Sequence, residues 1–78
     1  MKILITNDDG IDSYITRALH EKLSKKHDCT LIAPAKDKSG QGAAITLRTS
    51  VEVTKLDEQI YSVDGTPADC VFMGLMAI

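Results

Sequence analysis

The chain has 78 residues, of which 44% are hydrophobic and 26% are charged, a balance typical of one small globular domain. Nine Lys and Arg side chains against eleven Asp and Glu give a net charge of −2, which argues against non-specific binding to nucleic acid or to a membrane surface. We expect no signal peptide and no membrane span, since no apolar run approaches the roughly 18 residues that a span needs. The expected location is therefore the cytoplasm.

The first part of the chain has the pattern of a βαβ unit. Residues 2–6 form a short apolar run that ends at a turn-forming segment, and residues 29–33 form a second apolar run. Between them, apolar residues at helical spacing predict an amphipathic helix over residues 14–26, capped by Ser13. The side chains expected to face the sheet are Ile15, Leu19 and Leu23. Two strands joined in this way are predicted to be parallel neighbours in one sheet.

The second part predicts a hairpin and another helix. Apolar and polar residues alternate over 46–54, and a returning strand over 60–63 follows a polar turn, so residues 47–63 are predicted to form an antiparallel hairpin. The segment Thr66-Pro67-Ala68-Asp69 starts a helix with an N-cap hydroxyl, a proline at the first position and an acid three residues after the cap. The residues that follow have no polar face, so this helix must be covered on every side. We expect a partner chain or residues outside this sequence to cover it, because 78 residues offer too few other elements.

The cysteine and histidine side chains do not form a catalytic pattern. Cys29 and Cys70 lie in apolar stretches with no neighbour at metal-ligand spacing, and we expect buried free thiols. His20 and His27 lie on and after the polar side of the first helix, and we expect both to be solvated surface residues.

The first candidate site is the loop after the first strand, Asn7-Asp8-Asp9-Gly10. In open parallel sheets, ligands bind beyond the carboxyl ends of the strands. Adjacent carboxylates repel each other, and a hard divalent cation such as Mg²⁺ removes that cost. The same residues are compatible with a plain turn that caps the next helix. The residues alone therefore leave both interpretations open.

The second candidate site is the loop over residues 34–44. Ser39 offers a hydroxyl, and the neighbouring glycines allow backbone N–H groups to converge on an anion, although a solvated surface loop is the alternative. The loop matches neither the GxxxxGK[ST] nor the GxGxxG phosphate-binding pattern. The helix start at Thr66 is a third candidate, for which simple capping is favoured even though helix N-termini also bind phosphate.

Taken together and in chain order, these segments closely resemble the SurE family, the stationary-phase survival proteins that act as 5′/3′-nucleotidases. The resemblance covers essentially the whole chain, and four motifs in series make it specific. The segments that carry it are Lys2-Ile3-Leu4-Ile5-Thr6-Asn7-Asp8-Asp9-Gly10-Ile11, Ile32-Ala33-Pro34 through Ser39-Gly40, Ile45-Thr46-Leu47, and Gly65-Thr66-Pro67-Ala68-Asp69-Cys70-Val71.

The resemblance implies an α/β fold class, Rossmann-like, with a mostly parallel sheet and a β-hairpin, of which residues 1–78 form the N-terminal part of a single domain. It implies one divalent cation, Mg²⁺ or Mn²⁺, held by Asp8, Asp9 and Ser39. It further implies that Asp8 and Asp9 are catalytic and that the phosphate contacts Asn7, Ser39 and Gly40.

The activity implied by the resemblance is release of phosphate from nucleoside 5′- and 3′-monophosphates. Family members add an Asn ligand from a later loop and form homo-oligomers through C-terminal segments, both beyond Ile78. We therefore expect the 78-residue chain alone to be inactive. The sequence also departs from many relatives, which carry a small residue, Pro and Gly where this chain has Ser13-Tyr14-Ile15.

Two other functions fit parts of the sequence. A response-regulator receiver domain also has an acidic pair after its first strand, and Asp57 lies near the position of its phosphoacceptor. A receiver needs a continuous apolar strand running into that Asp, however, and residues 51–56 alternate instead. The non-enzymatic alternative is a truncated, inactive fragment that retains a partial metal site or serves in assembly.

Overall fold

The protein is described by a computed structural model, which places residues 1–36 and 52–76. The described part contains four strands and two helices, and the strands form one sheet in the order β1-β2-β4-β3. In chain order the elements are β1 (Lys2–Ile5), α1 (Tyr14–Leu23), β2 (Asp28–Pro34), β3 (Val53–Asp57), β4 (Ile60–Val63) and α2 (Pro67–Met76).

The sheet is mostly parallel. β1 pairs with β2 in parallel, with Ile3 opposite Cys29, and β2 pairs with β4 in parallel, with Ile32 opposite Tyr61. The prediction that the first two strands are parallel neighbours is thus confirmed. Parallel pairing sends the carboxyl ends of β1, β2 and β4 to one edge of the sheet, where this class of fold binds its ligands.

The predicted hairpin is present over the described residues. β3 pairs antiparallel with β4, with Lys55 opposite Tyr61 and a bulge between Lys55 and Asp57. Gln59 makes the tight turn with a φ of 57°, in the left-handed region. The first strand of the hairpin extends to Asp57, later than the sequence pattern predicted, and most of the predicted strand over 46–54 lies outside the described residues.

The position of Asp57 argues against a receiver domain. Asp57 ends β3, which runs antiparallel to β4. It therefore lies at the amino edge of the parallel strands, opposite the edge that carries Asp8 and Asp9. A receiver requires its phosphoacceptor and its acidic pair at the same edge.

Each face of the sheet carries its own hydrophobic cluster. The cluster on the α1 face consists of Ile5, Ile11, Cys29, Leu31 and Ala33, and that on the α2 face consists of Ile32, Val63 and Cys70. Alternate residues of β2 point to opposite faces, so this one strand contributes to both clusters. The prediction that Cys29 and Cys70 are buried free thiols is confirmed.

Helix α1 packs through a different face from the one predicted. Ile15 and Leu19 are 78% and 47% exposed, whereas Thr16 and His20 are buried. Only Leu23, of the three predicted contacts, packs against the core. The polar pair faces inward because both side chains find hydrogen-bond partners there, which removes the cost of burying them. The helix also ends at Leu23 rather than at the predicted residue 26.

The prediction that the two histidines are solvated is wrong for His20 and holds only in part for His27. The Nε2 of His20 lies 2.8 Å from the carbonyl oxygen of Cys29. A carbonyl oxygen only accepts, so Nε2 carries the proton and donates it. His27 is half-buried, and its Nδ1 is out of contact with solvent. His20 thus links α1 to the strand beneath it.

Helix α2 begins as predicted and buries one side. The backbone N–H of Thr66 donates to Asp69 Oδ2 at 2.8 Å, and the N–H of Asp69 donates to Thr66 Oγ1 at 3.2 Å, which is a reciprocal capping box. Cys70 is fully buried on the sheet, and Gly74 approaches Ile32 and Leu4 so closely that a Cβ would lie 2.9 Å from each side chain. The opposite side exposes large apolar groups, namely Val71, Phe72, Leu75 and Met76. That other residues cover this side stays a prediction.

Candidate metal centre

The acidic pair lies where the chain leaves β1 at the carboxyl edge of the sheet. Asp8 and Asp9 are exposed, while Asn7 before them is half-buried and Gly10 after them is buried. Gly10 has a φ of 107°, which an L-residue rarely adopts, so a glycine is needed for the chain to turn back into the protein here. The loop therefore has a fixed base and two carboxylates that project into solvent.

The side chain of Asn7 clamps this loop from inside. Its Oδ1 accepts a hydrogen bond from the N–H of Gly10 at 3.0 Å, and its Nδ2 donates to the carbonyl oxygen of Gly10 at 2.9 Å. The second Nδ2 hydrogen goes to Thr16 Oγ1, also at 2.9 Å. The Asn7 amide thus hydrogen-bonds both backbone groups of Gly10 and the Thr16 side chain of α1. Asp8 and Asp9 lie between Asn7 and Gly10 in the closed turn.

The end of the loop is anchored in the core. Ile11 is 5% exposed and belongs to the cluster on the α1 face. Its N–H donates to the carbonyl oxygen of Pro34 at 2.7 Å, and its own carbonyl oxygen accepts from Arg17 Nε at 2.9 Å. The acidic loop is therefore connected both to the carboxyl end of β2 and to α1.

The start of α1 completes the support. Ser13 is the N-cap, as predicted, and its Oγ accepts from the N–H of Thr16 at 3.5 Å and from the Thr16 hydroxyl at 3.2 Å. The part played by Thr16 was missed by the sequence analysis. The signal available was weak, because nine positions separate Thr16 from Asn7 and no motif links them.

The predicted second loop leaves the same edge of the sheet. β2 ends at Pro34, and the N–H of Ala35 donates to the carbonyl oxygen of Val63 at 2.8 Å, so the contact with β4 extends one residue beyond the strand. Ser39 and Gly40 lie outside the described residues. Their convergence with Asp8 and Asp9 stays a prediction.

The acidic pair has the chemistry that a divalent cation requires. Among residues 1–36 and 52–76, the carboxylates of Asp8 and Asp9 have no hydrogen-bond donor and no ion-pair partner. Their oxygens therefore remain available, and hard cations such as Mg²⁺ prefer oxygen ligands. The same described ranges contain no cluster of three or more His, Cys, Asp and Glu that would hold a metal on its own. The pair thus fits part of a cation site, and further oxygen ligands must come from elsewhere.

The two thiols do not supply a nucleophile. Burial raises the pKa of Cys70 to about 11, partly offset by the hydroxyl of Thr6 and reinforced by the nearby carboxylate of Asp69. Burial likewise raises the pKa of Cys29. Since the thiolate is the reactive form, both sulfurs are inert near neutral pH.

The third candidate, the start of α2, has its capping groups in use. The Thr66 hydroxyl and the Asp69 carboxylate bond to each other's backbone, and both residues are buried. A carboxylate already occupies the position that a phosphate would take at a helix N-terminus. Capping, the favoured interpretation of this segment, accounts for its residues.

Comparison with known proteins gives one consistent family. The model of the family described as "Survival protein SurE" matches residues 3–78. The chain is 48% identical over 79 residues to the 5'-nucleotidase SurE of Thermosipho melanesiensis, covering 96% of this chain and 31% of that protein. It is 44% identical over 75 residues to the 5'-nucleotidase SurE of Pseudomonas aeruginosa (strain LESB58), covering 96% of this chain and 30% of that protein.

The solved structures agree with the sequence comparison. The crystal structure of the SurE protein from Aquifex aeolicus matches with a TM-score of 0.90 at 37% identity, covering 99% of this chain and 32% of that chain. The predicted Rossmann-like α/β fold is therefore confirmed. The chain spans less than a third of the length of the two curated relatives described above. On the family match and the shared fold together, this chain belongs to the SurE family.

Proposed function

We propose that the protein is a divalent-metal-dependent phosphomonoesterase that releases phosphate from nucleoside 5′- and 3′-monophosphates. The observation that carries the proposal is the match to this family over residues 3–78, whose curated relatives are named 5'-nucleotidase SurE. The metal dependence is supported by the acidic pair Asp8 and Asp9, which is exposed, lies at the ligand-binding edge of the sheet and has no partner among the described residues.

In the proposed site, one set of groups binds the cation and another binds the phosphoryl group. In the proposal, Asp8 and Asp9 hold Mg²⁺ or Mn²⁺ through carboxylate oxygens, and Ser39 adds a hydroxyl from the loop after β2. Such a cation, when bound, would supply Lewis-acid chemistry to the phosphoryl oxygen and would make a neighbouring water more acidic. Backbone N–H groups at Ser39 and Gly40 offset negative charge on the phosphoryl oxygens. Asn7 borders this phosphate site and keeps the turn beside it closed.

The exposure of the carboxylates suits a substrate that arrives from solvent. Both Asp8 and Asp9 are exposed at the sheet edge, so a monophosphate would reach them without displacing a core side chain of residues 1–36 and 52–76. The net charge of −2 offers no attraction for a nucleic-acid polymer. Among the described residues, no helix is long and apolar enough to cross a membrane. The proposed location is the cytoplasm.

We also propose that residues 1–78 are the N-terminal part of one SurE-like domain that forms homo-oligomers. The unpaired side of α2 supports this, since Phe72, Leu75 and Met76 are 54%, 74% and 72% exposed. Exposed apolar patches on a helix mark surfaces that another segment covers. The same observation favours the alternative for the 78-residue chain on its own, namely an inactive fragment that retains part of the metal site.

Hydrolysis of AMP and of p-nitrophenyl phosphate, with and without Mn²⁺, tests the proposal. The assay compares the 78-residue chain with a longer chain in which the C-terminal portion of the Thermosipho melanesiensis relative follows Ile78. We expect only the longer chain to be active, and we expect chelation to abolish its activity. Asp8→Asn should lower kcat more than roughly 100-fold, beyond the roughly 10–100-fold loss typical of residues that merely support a ligand.

Asp12→Asn is the matched control, because Asp12 is an exposed carboxylate four positions along that is not proposed as a ligand. This variant should keep its activity. A folded longer chain that hydrolyses AMP equally well in excess chelator would refute the metal dependence. A folded longer chain with no phosphatase activity under any condition would refute the function.

A further inference from the structure

The acidic loop is tied to α1 by a hydrogen-bond network that lies outside the proposed ligand set. Thr16 is 9% exposed, and its hydroxyl accepts from Asn7 Nδ2 at 2.9 Å while donating to Ser13 Oγ at 3.2 Å. Asn7 in turn holds both backbone groups of Gly10. A continuous chain of hydrogen bonds thus runs from the first turn of α1 to the backbone that carries Asp8 and Asp9.

We propose that Thr16 is a positioning residue for the Asp8–Asp9 pair, acting through Asn7. The inference rests on the proposed metal-dependent function. Thr16 is hydrogen-bonded to Asn7 and to neither carboxylate, and its effect is to fix the rotamer of Asn7. With that rotamer fixed, the amide keeps its two bonds to Gly10, and the two intervening carboxylates keep one geometry for the cation.

The amide of Asn7 gives the network a direction. Its Oδ1 faces an N–H donor, and its Nδ2 faces a carbonyl oxygen and a hydroxyl. Rotating the amide by 180° would place its oxygen against the Gly10 carbonyl, which has no proton to donate. In the observed orientation, the Thr16 hydroxyl accepts the third of the three hydrogen bonds made by the Asn7 side chain. Asn7 therefore has one satisfied orientation, and losing the Thr16 hydroxyl leaves one amide hydrogen unpaired.

A purely structural role for Thr16 is the competing explanation. Its hydroxyl sits in the first turn of α1 beside the N-cap, where it contributes to helix stability whether or not a metal binds. The two explanations differ in what they predict for the cation. A helix-stabilising hydroxyl changes the melting temperature alone, whereas a positioning hydroxyl changes the affinity for Mn²⁺ in protein that is already folded.

The test is a calorimetric Mn²⁺ titration of the longer chain assayed above, in which the C-terminal portion of the relative follows Ile78, with the melting temperature of the metal-free protein measured beside it. Thr16→Val removes the hydroxyl at nearly constant shape. Thr16→Ala also removes it, and because alanine favours the helix, this variant should fold even if Thr16→Val does not. We expect both to bind Mn²⁺ roughly threefold to tenfold more weakly, below the roughly 10–100-fold loss seen for direct partners of a ligand. Thr16→Ser retains a hydroxyl and should restore the wild-type affinity.

Thr30→Val is the matched control. It makes the same chemical change on β2, where Thr30 lies opposite Leu4 on the face of the sheet away from α1, and where its Oγ1 accepts a 3.4 Å bond from Gln59. The control should leave Mn²⁺ affinity unchanged. Equal affinity in wild type and both hydroxyl-free variants would overturn the inference, as would an equal loss in Thr30→Val. Asp8→Asn separates the two proposals: if it abolishes binding while the Thr16 variants bind normally, the metal site stands and the inference falls. If the wild-type chain binds no Mn²⁺, both fall.

Discussion

Replacing Asp69 by alanine is expected to destabilise the protein by about 1–4 kcal/mol. Asp69 is 3% exposed, and its carboxylate accepts the N–H of Thr66 at 2.8 Å, so its removal takes this acceptor away from a buried donor. A buried unsatisfied group costs about 1–3 kcal/mol, and the lost negative charge at the N-terminus of α2 adds about 0.3–1 kcal/mol. A domain of this size loses about 4–8 °C in Tm for each kcal/mol.

The assay is urea and thermal unfolding followed by circular dichroism, since the chain has no Trp to report by fluorescence. Asp69→Asn keeps a side-chain oxygen for Thr66 N–H and should lose less than about 1 kcal/mol, which separates the hydrogen bond from the charge. Asp12→Ala, at an exposed carboxylate, should be neutral. If Asp69→Ala is as stable as wild type, the cost of burying the carboxylate cancels its hydrogen bonds, and the capping argument is refuted.

Three further predictions concern single positions. Gly10→Ala forces an L-residue to a φ of 107° and should lower the free energy of unfolding by about 1–3 kcal/mol. The reverse exchange at an exposed helix position, Ala18→Gly, should lower it by about 1 kcal/mol through helix propensity alone. His20→Leu removes the bond to the Cys29 carbonyl and should cost about 1–2 kcal/mol in urea unfolding, while Glu21→Leu at the exposed neighbour should be neutral. Burial raises the pKa of Cys70 to about 11 in the folded protein, against 9.0 for an ordinary thiol. The protonated thiol therefore contributes its full share to the stability of the fold below pH 9, and this contribution is lost as the pH rises toward 11. The free energy of unfolding should therefore fall by at most about 1.4 kcal/mol per pH unit over that interval, and Cys70→Ala should lack this slope.

The order and type of the elements could be predicted because each is indicated by residues close together in the sequence. The apolar runs at residues 2–6 and 29–33 with a helix between them admitted essentially one arrangement, a right-handed parallel crossover. The start of α2 was equally direct, since the cap at Thr66 and the acid at Asp69 sit three residues apart and bond to each other.

The packing of α1 did not follow from the sequence, because it depends on bonds between distant positions. A hydrophobic pattern assigns Ile15 and Leu19 to the core, yet the structure buries Thr16 and His20 instead. Their partners are the amide of Asn7 and a strand carbonyl, and neither contact has a periodic signature. Polar side chains with satisfied hydrogen bonds compete with apolar ones for a helix's inner face, and only the fold decides the outcome.

The acidic pair of the candidate site could be predicted from the sequence, whereas the residues that support it could not. Adjacent carboxylates after a buried strand marked Asp8 and Asp9 as ligand candidates. The structure places both at the carboxyl edge of a parallel sheet, with no partner among residues 1–36 and 52–76. The groups that hold the pair in place were not visible, because Gly10, Ile11 and Thr16 look in sequence like an ordinary turn and helix. The contribution of Ser39 stays a prediction.

The support of the acidic loop bears on how a cation would bind there. Two adjacent carboxylates repel each other, so a loop free to move would turn them apart and would lose that freedom only on binding. Here the backbone on either side is already fixed, by the Asn7 clamp and by the burial of Ile11. The cost of holding the like charges together is thus met by core packing and hydrogen bonds during folding. In the proposed enzyme, a cation would then gain the full attraction of both carboxylates without ordering the loop, which is why the affinity for Mn²⁺ should report on residues as remote as Thr16.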